Sequence, residues 1–234
     1  MRSSGARAAI AAAWVVVIVV LLALGGWQVQ RLAWKRGLIA QVDARLAAKP
    51  VPAPVTASLK DAYRRVTATG VFERARDSFV QASTVRGPGW WVITPLRTTD
   101  GRVILINRGY IPGRSAPPPA SGSISVTGLL RLTEPGGGFL RSNDPAADRW
   151  YSRDVAAIAA RRGLGATAPY FIDADATATT KNGPVGGLTV IRFPNNHLAY
   201  AVTWFILAIM AVGGFFTWNR ASRRSADAET DADE

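Results

Sequence analysis

Charged residues are absent from two stretches of the chain, Ala8 to Trp27 and Leu198 to Trp218. Each holds roughly 20 apolar or small residues, enough to cross about 30 Å of hydrocarbon as α-helix. Trp27 and Trp218 lie near segment ends, where amphipathic rings favour the headgroup region. Between these stretches the pattern changes twice. Trp27 to Ala48 stays helical in character, with Leu32, Leu38, Ile39, Val42 and Leu46 apolar, until Pro50, Pro52 and Pro54 end it. Short runs rich in Val, Ile, Thr and aromatics then predict strands over Arg65–Phe72, Ser78–Val85, Trp90–Arg97, Arg102–Ile111 and Ser123–Leu132. Thr99-Asp100-Gly101 is a hairpin turn, because Asp-Gly accepts the positive φ such turns need. Pro112 to Pro119 is a proline-rich loop. Asp154 to Arg162 predicts one short helix, with Asp154 as N-cap and Gly163 as its stop. Two more strands are expected over Tyr170–Asp173 and Leu188–Phe193.

This order predicts an α+β membrane protein, in which N- and C-terminal transmembrane helices flank one antiparallel β-rich extracytoplasmic domain with a short inserted helix. The expected divisions are a cytoplasmic start (1–7), a first span (8–27), the outer domain (28–196), a second span (197–218) and a disordered cytoplasmic tail (219–234). A cleaved signal peptide or a transit peptide competes for the first segment. Its apolar core is longer than a usual signal core, however, and Leu24-Gly25-Gly26-Trp27 is a poor cleavage site, so a retained anchor is preferred. Arg220, Arg223 and Arg224 follow the second stretch, which puts both termini in the cytoplasm. The expected location is a bacterial plasma membrane, with a mitochondrial inner membrane as the alternative.

Composition narrows the chemistry. There is no cysteine, which removes disulfides, thiolate zinc sites, Cys-x-x-Cys pairs and covalent c-type haem. Two methionines and one histidine are too few for a copper carrier built on soft ligands. Residues 28–196 carry 23 Lys and Arg against 11 Asp and Glu, as large an excess as the net +12 of the whole chain. Either an acidic neighbour (lipid headgroups, a protein face or ligand carboxylates) answers this charge, or it is a solvated arginine-rich surface. Nucleic acid is not expected on that side of a membrane.

Hydrolytic constellations are hard to find. The lone His197 stands at the mouth of the second span, away from the β segment. Asp144, Asp148, Asp154, Asp173 and Asp175 are close in sequence, but spacing alone does not pair them, and solvated loop acids are far commoner. Gly136-Gly137-Gly138 lacks a following lysine and is a turn. Asn107-Arg108-Gly109-Tyr110 closes a strand, and by itself reads as a turn with a satisfied arginine. Pro194-Asn195-Asn196-His197 reads as strand exit, N-cap and helix start. An imidazole there is open to two readings: an interfacial histidine bonded to water or Asn196, or an iron ligand.

Taken together, these residues resemble the surfeit locus protein 1 family. The likeness runs from about Leu24 to Phe205. It includes Leu24-Gly25-Gly26-Trp27-Gln28, Arg31, Trp34-Lys35, Tyr63-Arg64-Arg65-Val66, Gly70, Phe72 and Thr94-Pro95-Leu96. It continues through Asn107-Arg108-Gly109-Tyr110-Ile111-Pro112, Gly128-Leu129-Leu130-Arg131, Asn143-Asp144, Trp150 and Asp154. Asn195-Asn196-His197, Tyr200-Ala201 and Thr203-Trp204-Phe205 close it, with no major departure from the pattern. The resemblance implies a non-enzymatic assembly factor for haem-copper cytochrome c oxidase. Such a factor binds haem a, with His197 as iron ligand, and assists delivery to the catalytic subunit; the alternative is a structural membrane chaperone that binds no haem. Expected partners are the oxidase subunits, chiefly the haem-bearing one, together with a haem a synthesis enzyme and the lipid bilayer. On this reading Arg31, Lys35 and Arg192 are candidates for the haem propionates. Ala201, Trp204 and Ala208, at helical steps from His197, are candidates for packing on the macrocycle, unless they serve ordinary helix contact.

Overall fold

The computed structural model describes residues 4–178, 182–191 and 193–230; within these, the side chains of Ser4, Ala178 and 226–230 lie outside the description. The chain divides into two units, one of residues 1–40 with 192–234 and one of residues 41–191.

The larger unit is built on strands. After β1 (Val51–Pro52) come β2 (Arg65–Phe72), β3 (Ser78–Thr84), β4 (Gly87–Thr98), β5 (Val103–Ile111) and β6 (Ser123–Leu132). A small hairpin of β7 (Gly137–Gly138) and β8 (Arg141–Ser142), helix α2 (Val155–Arg162) and β9 (Thr167–Ala174) follow. The main sheet runs β1-β2-β6-β9-β5-β4-β3, and β2 also pairs with β4. That extra pairing closes β2, β4, β5, β9 and β6 into a five-stranded barrel, which removes sheet edges. Gly70 makes closure possible: a Cβ there would lie 2.2 Å from the Arg97 carbonyl oxygen.

The antiparallel expectation is corrected, because the sheet is mixed. β9 pairs antiparallel with β6 but parallel with β5. The long connection from β6 to β9, which contains α2, carries the chain over so that β9 enters between its two neighbours. The expected strand over Leu188–Phe193 is also corrected, since the described residues there have no regular structure. Both edges of β9 are already filled, and the Thr189 hydroxyl instead donates to Asp173 Oδ2 at 2.9 Å.

Alternation along the strands divides the core. Val66, Leu96, Ile104, Ile106, Leu130, Tyr170 and Ile172 fill the barrel interior. Val80, Ile93, Leu105, Trp150 and Phe171 face the other way and pack under Val155 and Ile158 of α2. β5 serves both layers and is buried throughout. α2 begins and ends as its sequence predicts. Asp154 accepts from the Ala157 amide at 3.1 Å, and Gly163 closes the helix at φ +61°.

The smaller unit is helical. α1 (Ser4–Ala47) is one unbroken helix whose last turns lie in the β-rich unit, and α3 is His197–Thr230. α3 continues well past Trp218, into the segment expected to be a disordered tail. Both helices contain windows long and apolar enough to cross a membrane.

Candidate functional site

The two helices pair along one seam. On α1 one series of buried or half-buried positions runs Arg7, Ala11, Trp14, Ile18, Leu21, Gly25, Gln28, Leu32 and Lys35, at steps of four and three. On α3 a matching series runs His197, Ala201, Trp204, Ala208, Ala211, Phe215, Trp218 and Ser222. A 3.5-residue repeat keeps two near-parallel helix axes in contact. The cross-contacts fix the direction. Arg7 Nη2 donates to the Ser222 carbonyl at 2.5 Å. Trp14 lies against Gly214, and Phe205 lies against Gly25, where a Cβ would stand 2.7 Å from the ring. His197 meets Gln28, and the Lys35 ammonium donates to the Pro194 carbonyl. Partners descend α3 as they ascend α1, so the helices are antiparallel.

At one end of this seam stands the only histidine. His197 Nδ1 lies 2.7 Å from Gln28 Oε1, and Gln28 is buried. With that oxygen accepting, Nδ1 carries the proton of the neutral ring and the Nε2 lone pair is left free. Metal-bound imidazoles are held in just this manner, by a second hydrogen bond that fixes ring and tautomer. The donor chemistry therefore fits an iron ligand. Gln28 is the residue that sequence reasoning missed. Its place one helical turn beyond Gly25 marks it only once the seam is known.

The other candidates are distributed unevenly. The Arg31 guanidinium stacks 4.3 Å from the centre of the Trp34 ring on the exposed side of α1. Lys35 is already engaged by Pro194, and Arg192 lies outside the described residues. Ala201 and Ala208 are each 2% exposed and share the seam face, so helix contact accounts for them. Trp204 lies on that face too and is half-buried.

In the barrel unit the aspartates do not gather into one site. Asp144 pairs with Arg149 at 2.8 Å, Asp148 with Arg162 at 2.6 Å and Asp175 with Arg65 at 3.5 Å, while Asp154 caps α2. Asp173 is almost fully buried and has four partners: Arg131 (3.0 Å), Arg153 (3.4 Å), Asn107 Nδ2 (2.7 Å) and Thr189. Glu134 accepts twice from the Arg153 guanidinium, at 2.6 and 2.9 Å. Burial pulls the Arg153 guanidinium down, but Asp173 and Glu134 outweigh it and hold the group above its ordinary value. This is a satisfied structural network. Among the described residues no cluster of three or more His, Asp or Glu could hold a metal ion.

Asn107-Arg108-Gly109 is not a turn. It lies within β5, at a bulge where the pairing with β4 slips between Trp91 and Ile93. Gly109, at φ +129°, lets the Val185 backbone approach to 2.3 Å of where a Cβ would be. Arg108 is not fully satisfied either: among the described residues its Nη1 has no hydrogen-bond partner.

Comparison with known proteins agrees with the motif pattern. Residues 15–209 match the model of the SURF1 family. Surfeit locus protein 1 of Homo sapiens is 36% identical over 222 residues, covering 83% of this chain and 73% of that protein. The Rattus norvegicus protein of the same name is 34% identical over 226 residues, covering 86% and 72%. A SURF1-like protein of Monosiga brevicollis is 36% identical over 231 residues, covering 89% and 87%.

Proposed function

We infer the function from one premise: this chain belongs to the SURF1 family. We propose that it is a membrane-anchored, non-enzymatic assembly factor for a haem-copper oxidase, and that it holds haem a through His197 before the haem-bearing subunit receives it. The observation that carries this reading is the His197–Gln28 pair. One imidazole nitrogen is engaged by a buried amide and the other is left to coordinate.

The helix pair supports the membrane part of the proposal. The contacts from Arg7 to Lys35 span 28 residues, roughly 42 Å at 1.5 Å per residue, which exceeds the roughly 30 Å hydrocarbon core. Charged residues then fall outside the core at both ends, while the surface between exposes side chains such as Val16, Ile209 and Met210. In an antiparallel pair both chain ends emerge on one side. Arg220, Arg223 and Arg224 favour the cytoplasm for that side, in a bacterial plasma membrane or a mitochondrial inner membrane. His197 then sits at the outer headgroup level with Arg31 nearby in sequence on α1. Arg31 is the best remaining partner for a propionate, because Lys35 already holds a carbonyl. Bound haem supplies a redox-active iron; His197 and Gln28 supply ligation and orientation.

A second reading, a chaperone that grips oxidase subunits without haem, draws on the β7–β8 hairpin. Its tip exposes Phe139 and Leu140 almost completely. One experiment separates the two. Full-length protein is purified from cells that make haem a, and its haem content and absorption spectrum are compared with those of His197→Ala. Loss of haem or a shifted spectrum in the variant supports haem binding. Unchanged haem and spectrum sink the ligand role, and haem-free natural protein favours the chaperone.

A further inference from the structure

The hairpin of β7 and β8 carries an unusual turn. Gly137 pairs with Ser142 and Gly138 with Arg141, so Phe139 and Leu140 are the two residues at the tip. They are the most exposed large apolar residues described, at 92% and 89%. Leu140 also sits at φ +57°, in the left-handed region where glycine or asparagine is at ease and leucine is strained. The hairpin does use glycine where its backbone demands it: a Cβ on Gly137 would stand 2.2 Å from the Arg141 carbonyl oxygen. A leucine at position 140, with almost no contacts, strains the turn without adding to the core. The base beneath the tip is firm. The Asn143 side chain accepts from the Tyr151 and Ser152 amides and donates to the Ser152 hydroxyl, and the Gly136 N–H donates to Asp154. Beside the tip, Arg141 donates to the neutral Gln81 Oε1 at 2.9 Å and lies 5.5 Å from the Tyr151 ring centre. Arg131, Arg149, Arg153 and Arg162 each pair with a carboxylate, whereas among the described residues Arg141 pairs with none.

We propose that this tip dips into the headgroup layer of the membrane that the two terminal helices cross, with Phe139 and Leu140 at the acyl boundary and Arg141 against anionic headgroups. The inference rests on the membrane anchoring of the proposed function and is independent of haem. Three features select lipid over a second protein. The apolar surface is only two side chains, with glycines before them and Arg141 and Ser142 after. A stable protein interface engages roughly 20–30 residues a side, whereas a fluid bilayer takes up an isolated protruding side chain without a matching surface. An apolar tip backed by a cation and an aromatic ring suits the bilayer interface, where headgroups are anionic and acyl chains begin. Two residues would hold a free protein on lipid only weakly, but residues 41–191 are joined at each end to a candidate span, so insertion of the tip is an intramolecular step.

The chain has no cysteine, so Gly138→Cys places a single environment-sensitive fluorophore beside the tip, at a position where a Cβ meets only ordinary contacts. Full-length protein is put in nanodiscs of phosphatidylcholine with or without phosphatidylglycerol, with brominated lipid or aqueous iodide as quencher. A label at Met210→Cys, on an exposed side of α3, is the control for the span. Brominated lipid is expected to quench the Gly138→Cys label and iodide to leave it bright. Phe139→Ser with Leu140→Asn is expected to reverse this, each lost side chain lowering the ratio of inserted to free tip about tenfold or more; asparagine suits the positive φ and keeps the turn. Arg141→Gln is expected to weaken lipid quenching in discs containing phosphatidylglycerol and not in pure phosphatidylcholine. A label on the natural tip that iodide quenches as fully as on the double variant overturns the proposal. So does a label shielded from both quenchers, which means contact with protein, as the chaperone reading has it. If lipid quenches the label at Met210→Cys but not that at Gly138→Cys, the tip proposal alone fails; if it quenches neither, the membrane anchoring fails with it.

Discussion

The barrel and the helix pair bury polar groups in opposite ways. In the barrel, Asp173 gathers two arginines, an amide and a hydroxyl, so each of its oxygens is matched. In the helix pair, the buried Gln28 amide engages one nitrogen of His197 and leaves the other open. A matched buried network rigidifies, whereas a half-matched ring is available for a ligand. The same contrast holds for apolar groups. Barrel side chains alternate between a packed interior and an outer face that, over β5 and β9, packs under α2. The helices are apolar on nearly every face, and their buried positions, Gly25, Gln28, Leu32, Ala201, Ala208 and Ala211, all lie on the seam.

The largest expected effect comes from breaking the matched side. Asp173→Ala strands Arg131 and Arg153 without their shared carboxylate and should destabilise the β-rich unit by about 3–5 kcal/mol, read as a lower unfolding midpoint of the full chain. The haem spectrum should be unaffected wherever the chain remains folded. Next, Ile172→Ala, in the barrel interior, should cost about 2–5 kcal/mol. Equal loss from a helix variant such as Ile209→Ala, whose side chain is 72% exposed, would erase the contrast between the two regions.

The seam is tested by overpacking. Gly25→Leu drives a side chain into the Phe205 ring and should cost about 1–3 kcal/mol. Because the chain has no cysteine, thiol pairs report the pairing cleanly. A short bifunctional linker should join Arg7→Cys to Ser222→Cys and Lys35→Cys to Pro194→Cys, and should fail to join Arg7→Cys to Pro194→Cys. Gly25→Leu should slow both permitted reactions. Efficient linkage of the third pair would contradict the antiparallel arrangement.

The smallest effect is a pH dependence. Burial raises the Asp148 carboxyl, but Arg162 and the Trp150 indole N–H outweigh it and hold the group below the ordinary carboxylate value. A folded-state value below the unfolded one stabilises at pH above the unfolded value of about 3.9, and the contribution is lost as pH falls through the folded value. The melting temperature in the range below about pH 5 should therefore fall more steeply for the natural chain than for Asp148→Asn.

Much of the barrel was legible in the chain because its periods are distinct. β2 and β6 fall where Val, Thr and Leu alternate, and α2 carries its own start and stop signals. Sheet topology was not legible: local turns favour antiparallel neighbours, and nothing local announces that β9 will enter between β5 and β6. Leu188–Phe193 has strand composition, yet β9 has no edge left to offer it. The helix seam was hidden for another reason. Where outward-facing and partner-facing residues are both apolar, composition does not mark the buried side, so the four-three series through Gly25 and Gln28 stood out only in the folded pair. His197 was visible as the lone imidazole; Gln28, which lies 169 residues earlier, was not. Arg108 was visible as a motif, but its place inside β5, beside the bulge at Gly109, was not.

The proposed haem site needs an imidazole with one nitrogen held and one free. With a single histidine in the chain, ¹⁵N-histidine labelling yields one pair of ring resonances, and their shifts report which nitrogen carries the proton in the neutral ring. We expect the Nδ1-protonated form, lost in Gln28→Ala, with the unprotonated Nε2 signal the one that moves on addition of haem a. A ring protonated on Nε2 and indifferent to both Gln28→Ala and haem a would contradict it.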